Sequence, residues 1–598
     1  MITAMCIVIA AWVLLFCVIA GLGLFVRKAF GLQGGNFADW FAAFWIGYAV
    51  MIGALELWNL VLPLDWRVCV TLGIPGAIGF VWGVVSSLRS RRISISRARL
   101  ITYIFVFTVA LAPVAIWVAN RALDAQVDFD TTMYHLGTIR WANEYAVVPG
   151  VGNLHYRLGF NQSFFLFVAA LNVYPVFNQG FHIANSLLLI VLVAQLINTL
   201  CDAAFRRQAL ASYQLLSALF LPVILYRASH QPFSANISSP SPDLGVFLLQ
   251  VVVILAFTKY LALLKAPPTP ETDREQRFNI FFMVALSIVG VTSKLSFLMF
   301  GAATVILVLA VWLFSNRQRL NSAVRSAVLW LVLTGVFIGV PWLAHGIVTS
   351  GYPLFPSTFA ALPVDYRVPA DIARDAEQWV YSFAREPGAD ESVVLSNWDW
   401  LKSWVNLVQD SFDEFLFVIP FIAFVVALSI YLLLYALLTV FHKRPAQSQG
   451  SLLWLPLIPA VLSGLFWFFT APDPRFAGAA FWILALWSVV MLLSLVKQSW
   501  IPFVGFAALL VPTLIAALLM IYFLSTQFKL GEVGFPPLPR QALTQFKTDS
   551  GLLVNVAADP DHNLELWDAP LPASPYKLPR LALRGNDLRD GFRMLPPP

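Results

Sequence analysis

The sequence predicts an all-α, polytopic membrane protein of about 12–14 transmembrane helices, closed by a small irregular or β-containing C-terminal tail. Three observations predict it. Hydrophobic residues make up 59% of the 598 and charged residues only 12%, against roughly 25% charged in an ordinary soluble domain. Mean hydropathy is +0.76, more apolar surface than a water-soluble core of this length can bury. The apolar runs also recur near the bilayer-spanning length of about 20 residues. They are continuous and rich in Leu, Val, Ala and Phe, without the period-two alternation of a barrel strand. A backbone in hydrocarbon must satisfy its own hydrogen bonds, which leaves helices.

Taken in order, the spans fall near 3–26, 37–61, 67–88, 101–118, 181–200, 210–227, 243–264, 278–292, 295–314, 324–346, 413–440, 451–469, 477–496 and 501–523. The first run begins apolar at once, with no basic leader region, and reads as a retained span. Residues 161–178 are apolar but shorter and are flanked by Asn, Gln and Pro, which predicts a juxtamembrane or re-entrant helix. Cys6, Cys17, Cys69 and Cys201 lie in or beside apolar runs without metal-ligand spacing and read as small core residues. The net charge of +6 reflects loop bias and does not point to nucleic acid.

That bias sets the orientation. Arg27–Lys28, the run from Leu88 to Arg99, Arg206–Arg207, Lys265 to Arg277, Arg317–Arg319, His442 to Arg444 and Lys497 all fall on one side of the span order. Lys and Arg favour the cytoplasmic side. The functional face is therefore expected on the extracytoplasmic side. The other side holds the first loop 119–180, the segment 228–242, the turn at Ser293–Lys294, the long loop 347–412, the turn 471–476 and the tail 524–598, beyond a membrane module of residues 1–523. Six of the seven histidines lie in or near these segments.

The first loop carries the densest chemistry: DFDTTMYHLGTIRWANEY, then AVVPGVGNLHYRLGFNQ. A helix from Thr131 would be N-capped by Asp130. Tyr134, Gly137 and Trp141 would share one face, with His135 and Arg140 to either side. A carboxylate such as Asp128 or Asp130 in a partly desolvated pocket gains a raised pKa and serves as a general base. Arg140 and Arg157 suit bidentate phosphate binding, and Asn153, His155 and Asn161 supply donors and acceptors for sugar hydroxyls.

Lys294, in GVTSKLS, either snorkels or binds phosphate. Arg475, in FFTAPDPRFAG, has Asp473 as a local partner or joins the site. Asp243, in ISSPSPDLGV, either caps its span or joins the site. Glu56 is an intramembrane acid, a functional candidate by its position. The stretch NWDWLKSW (397–404) reads as an interfacial aromatic belt. No Ser/His/Asp triad motif, P-loop or zinc signature is present.

The spacing Asp130, Tyr134, Trp141 and VVPG (147–150) resembles the GT-C superfamily of membrane glycosyltransferases. The longer string from Tyr134 to Gln162, with SGYPLFPS (350–357), FFTAPDPRF (468–476) and the tail string from Trp567 to Phe592, is similar to a bacterial branch of it, which implies a bacterial inner membrane with the site on its periplasmic face. That superfamily includes protein O-mannosyltransferases and the lipid A aminoarabinose transferase. The resemblance implies a GT-C-like helical bundle and a sugar donor carried on a polyprenyl phosphate. It also implies inverting transfer to a hydroxyl of a glycan, lipid or protein acceptor, among membrane lipids. Asp130 matches the family base, and Lys294 the kind of lysine that contacts donor phosphate. Members often show Asp-Glu at the base, whereas Thr131 follows Asp130 here, so any second acid role falls to Asp128. No cofactor is implied. Some members place a divalent cation near the first-loop acid, and Asp128, Asp130 and Asp243 are the acids that would hold one, but no compact ligand spacing predicts a metal. Two other readings stay open: an O-antigen ligase or polymerase, whose main loop falls late in the chain as 347–412 does, and a transporter or flippase, which would carry repeats and midplane charges.

Overall fold

The computed structural model describes all residues except 33–36, 90–96, 127, 207–209, 230–234, 411–412, 442–449, 497–500, 532–533, 560–562 and 598. Parts of the basic runs, including Arg91, Arg92, Arg207, His442 to Arg444 and Lys497, lie outside the described residues, as do His230 and His562.

Each expected span coincides with a helix. In chain order these are α1 (Ile2–Ala29), α2 (Phe37–Asn59), α3 (Trp66–Arg89) and α4 (Arg97–Arg121). The first loop then contributes two short helices, α5 (Leu136–Glu144) and α6 (Ser163–Leu171). The bundle resumes with α7 (Phe181–Arg206), α8 (Ser212–Ser229), α9 (Pro242–Leu263), α10 (Pro270–Ser293), α11 (Leu298–Ser315) and α12 (Arg317–Ser350). The outer loop holds α13 (Ala370–Phe383), α14 (Glu391–Ser396) and α15 (Trp400–Leu407). The last spans are α16 (Glu414–Val440), α17 (Leu452–Thr470), α18 (Ala480–Leu493) and α19 (Ile501–Thr526).

Among the described residues, 12 helices are long and apolar enough to cross a bilayer. The chain is an all-α, multi-pass membrane protein. Of the fourteen expected spans, α8 and α18 fall short of that standard. α18 has 14 residues, about 21 Å at 1.5 Å per residue, and it is enclosed by protein along most of its length. Helix α6 has nine residues, all buried, and the chain turns after it with Val173 and Val176 exposed, so the stretch 161–178 holds a short internal helix and not a span. That helix is docked by Asn143, whose Nδ2 donates to Leu64 O at 2.6 Å and Ala169 O at 2.8 Å.

Small residues let the first three helices touch backbone to backbone. A Cβ added at Gly21 would lie 1.8 Å from Gly76 O, and one at Gly23 would lie 1.8 Å from Ala43 O. Where lipid is as apolar as the side chains, close backbone approach is what holds helices together.

The two ends of the bundle differ. At one, Arg27 pairs with Asp39 at 2.7 Å and Glu275 at 3.3 Å, Lys28 lies over Trp82, and Arg274 donates to Gly31 O. The ends of α1, α2, α3 and α10 therefore meet where the basic segments were expected to gather. At the other end the first loop, the outer loop and the tail pack on one another. The tail forms two small antiparallel hairpins, β1 (Leu543–Lys547) with β2 (Leu553–Ala557) and β3 (Leu581–Leu583) with β4 (Phe592–Met594).

Candidate functional site

The site is built on the turn that enters α5. Residues Thr131–His135 form a π-turn, all five buried. Such turns add one residue to a helical register and so re-aim the side chains that follow. Asp130 stands at the N-cap position, yet its side chain makes no capping bond. The expected cap is not formed, because the carboxylate turns instead to Arg157 Nη1 at 2.8 Å and Arg475 Nη1 at 3.7 Å. Thr131 Oγ1 donates to Asp128 Oδ2 at 2.8 Å and lies 3.1 Å from both His135 Nδ1 and Ser239 Oγ. From the tail, the Leu566 and Trp567 N–H groups donate to Thr132 O at 2.9 and 2.8 Å.

Three cations come to this turn from distant parts of the chain. Arg157 rises from a 3-10 turn (Tyr156–Gly159), and its guanidinium lies 4.6 Å from the Trp379 ring of α13. Arg475 is fixed by its own turn: Asp473 caps Pro474–Ala477, accepts from Arg475 N at 3.0 Å, and takes the guanidinium Nε at 2.8 Å. Aspartate at the N-cap with proline at N1 is a favoured start for such a turn. Lys294, at the end of α10, pairs with Asp243 and lies over Phe476. Asp243 is not the cap of α9, because Ser241 fills that position. Acids and cations thus alternate through Asp128, Asp130, Asp243 and Asp473 and Arg157, Lys294 and Arg475.

The two first-loop acids differ in environment. Asp128 is pushed up to about 6, chiefly by burial, then by the charge of Asp130, against the Thr131 hydrogen bond and Arg475. Its side chain still keeps 30% of its surface open. Among the described residues no lysine or arginine lies within ion-pairing distance of it, whereas Asp130 holds two arginines. Burial lowers His135 to about 4 despite the nearby charge of Asp130, so at neutral pH it is an uncharged imidazole beside Thr131. Tyr134 is raised well above its usual range by burial and then by Asp130, and stays a phenol. It lies under the Arg157 guanidinium at 5.6 Å.

A family described as "Domain of unknown function (DUF8201)" matches residues 5–482. The chain belongs to that family. The alpha-ketoglutarate permease of Escherichia coli (strain K12) is 25% identical over 196 residues, 31% of this chain and 43% of the permease. The chain thus spans less than half of that relative. No solved structure matches.

The DUF8201 region contains every member of the acid–cation cluster, from Asp128 to Arg475, while the tail residues that clamp Thr132 lie beyond it. Not every expected site residue joins the cluster. Arg140 turns outward, to Glu144 at 2.7 Å and to Asp568 of the tail at 3.2 Å, so it is not one of the converging cations. Asn153 is buried and donates to Tyr366 O at 2.7 Å and Gly150 O at 3.1 Å. Asn161 is joined to Trp342 through side-chain and backbone hydrogen bonds in both directions. The N–H groups of both amides are thus engaged by backbone carbonyls, while Asn153 Oδ1 has no partner among the described residues. His155 is wholly enclosed behind Arg157, against Tyr134, Tyr156 and Tyr576, and neither ring nitrogen has a partner among the described residues.

Glu56 is buried in α2, and its carboxylate has no hydrogen-bond partner among the described residues. Of NWDWLKSW, Trp400 and Trp404 face inward, and Trp404 Nε1 donates to Pro472 O at 2.7 Å beside the Arg475 turn. Trp379, Ser239 and the buried Arg227 of α8 went unnoticed in the sequence. Only Arg227 carried a signal there, as an arginine at the end of an apolar run. Among the described residues no three His, Cys, Asp or Glu side chains group as a metal cage.

Proposed function

We propose that this chain is an inverting, GT-C-type glycosyltransferase that moves a sugar from a polyprenyl-phosphate carrier to an acceptor hydroxyl at the periplasmic face of a bacterial inner membrane. One observation carries the reading: at one end of a membrane bundle Asp130 pairs with Arg157 and Arg475, Asp128 stands beside it within the field of Arg475, and the Asp243–Lys294 pair adjoins them. That is the complement a phosphate leaving group and a hydroxyl nucleophile require.

In this reading the acceptor oxygen forms a bond to the anomeric carbon as the bond from that carbon to the phosphate oxygen breaks. The electron pair leaves with the polyprenyl phosphate, and the acceptor proton passes to a carboxylate. Asp130 is that base. Its spacing to Tyr134 supports the role, and so does its place beside Arg157 and Arg475, the guanidiniums that would also meet a donor phosphate. Asp128, open on one side, accepts from the acceptor hydroxyl and orients it. Lys294 and the two arginines neutralise the departing phosphate.

Mass spectrometry of the lipid retained by the purified protein tests this. A polyprenyl monophosphate, lost in an Arg475→Ala variant, is the expected result. A diphosphate carrier moves the reading to a glycan ligase. A second reading, transport, rests on the permease likeness. Uptake of 2-oxoglutarate by proteoliposomes of the pure protein, with no lipid phosphate bound, would replace the transferase.

A further inference from the structure

Helix α15 and the residues before it present three different faces. Trp400, Trp404 and Val408 turn into the protein and are buried. Lys402, Ser403 and Asn406 form an exposed polar face. Between them runs an apolar stripe of Trp398, Leu401 and Val405, exposed by 58%, 37% and 43%. At 3.6 residues per turn these three positions line up along one side.

The stripe does not end in water. The Trp398 ring stacks on Phe468 at 6.2 Å and meets the edge of Phe469 at 6.4 Å. Phe469 is 61% exposed and closes the outward stripe of α17, which runs through Ile458, Leu462 and Leu465. That stripe faces lipid, since α17 is one of the spans, and anything that covers Trp398 must also meet the end of that lipid-facing surface. Just above it, Arg385 donates to Phe469 O at 3.1 Å and lies 5.3 Å from the Trp400 ring. This sets a guanidinium beside the outer end of the α17 stripe, with Lys402 exposed on α15.

We propose that α15 lies in the plane of the bilayer surface, with Trp398, Leu401 and Val405 seated at the boundary of headgroups and acyl chains of the leaflet on the site's side. A helix with one protein face, one apolar face and one polar face belongs at that boundary, where apolar side chains sink about 5–10 Å below the headgroups and tryptophan is enriched. Lipid at α15 thereby adds to the protein contacts that hold the outer loop, among them Trp379 with Arg157 and Trp404 with Pro472. This assignment does not depend on the transferase reading.

The test uses the full chain with its four cysteines replaced, in nanodiscs of zwitterionic phospholipid with a minor anionic fraction. Single cysteines at Leu401, Val405, Ser403 and Asn406 carry an environment-sensitive NBD label, and doxyl-labelled lipids are the quenchers. All four positions are exposed, and monodisperse elution establishes that each labelled protein is folded. Blue-shifted emission at 401 and 405, quenched at least threefold more than at 403 and 406, is the expected result. Equal, water-like emission at all four would overturn the proposal. So would a blue shift at 401 and 405 that doxyl lipid does not quench, since it would mark burial against protein.

Discussion

Within the first loop, two acids separated by one residue receive different surroundings, and the difference is measurable. Asp128 retains its proton to about pH 6, whereas an unfolded aspartate releases it near 4. Between those values the native state binds more protons than the unfolded one, so this residue makes stability fall as pH rises through that window. Asp128→Asn is expected to remove that slope from thermal melts between pH 4 and 6.5. In the proposed reaction only the ionised carboxylate orients the acceptor, so kcat/KM should rise through pH 6 in the wild type. Asp128→Asn should lose that limb and at least tenfold in rate at neutral pH; an unchanged limb would give the titration to another group. The sequence made the acids and three of their cations visible, because charge at a membrane surface is conspicuous against apolar runs. It could not pair them, since Arg157 and Arg475 approach Asp130 from 27 and 345 positions away in a chain whose loops pack in three dimensions.

Among the elements, the VVPG segment explains why the first loop, the outer loop and the tail behave as one layer. Gly150 has φ +65°, in the left-handed region, and a Cβ there would lie 2.2 Å from Phe592 O and 2.8 Å from Tyr366. Its N–H donates to Val348 O at 2.8 Å, and Phe592 N donates to Pro149 O at 2.9 Å. Glycine here admits both the turn and the close approach of β4. Gly150→Ala is expected to cost about 1–3 kcal/mol through backbone strain, with further loss from the displaced strand. Limited proteolysis should release the tail in this variant and leave the membrane bundle intact. A tail as resistant as in the wild type would mean that the seam yields without opening. The tail was legible as a small irregular or β-containing cap, but not strand by strand. Its strands are three to five residues long and carry too little periodicity to be read before the tail's contacts with Thr132 and Pro149 are known.

For the whole molecule, apolar run length and charge bias were enough to place every helix of the bundle, because lipid leaves a backbone few alternatives. The same physics governs orientation. Excluding 161–178 from the spans keeps every basic segment on one side, and the structure supports that exclusion with a nine-residue interior helix. Arg27, Lys28, Arg274 and Glu275 gather at the end of the bundle away from the acid–cation cluster. Lys and Arg favour the cytoplasmic side, and the orientation proposed above on that ground puts Asp128 and Asp130 outside. Single cysteines introduced at Ser357 in the outer loop and Asn316 between α11 and α12, on a background without native cysteines, should divide cleanly in intact cells. A membrane-impermeant maleimide should label 357 directly and 316 only after the membrane is opened. Labelling of 316 alone would invert the protein, bring the candidate site to the cytoplasm, and remove the periplasmic acceptor from the proposed reaction.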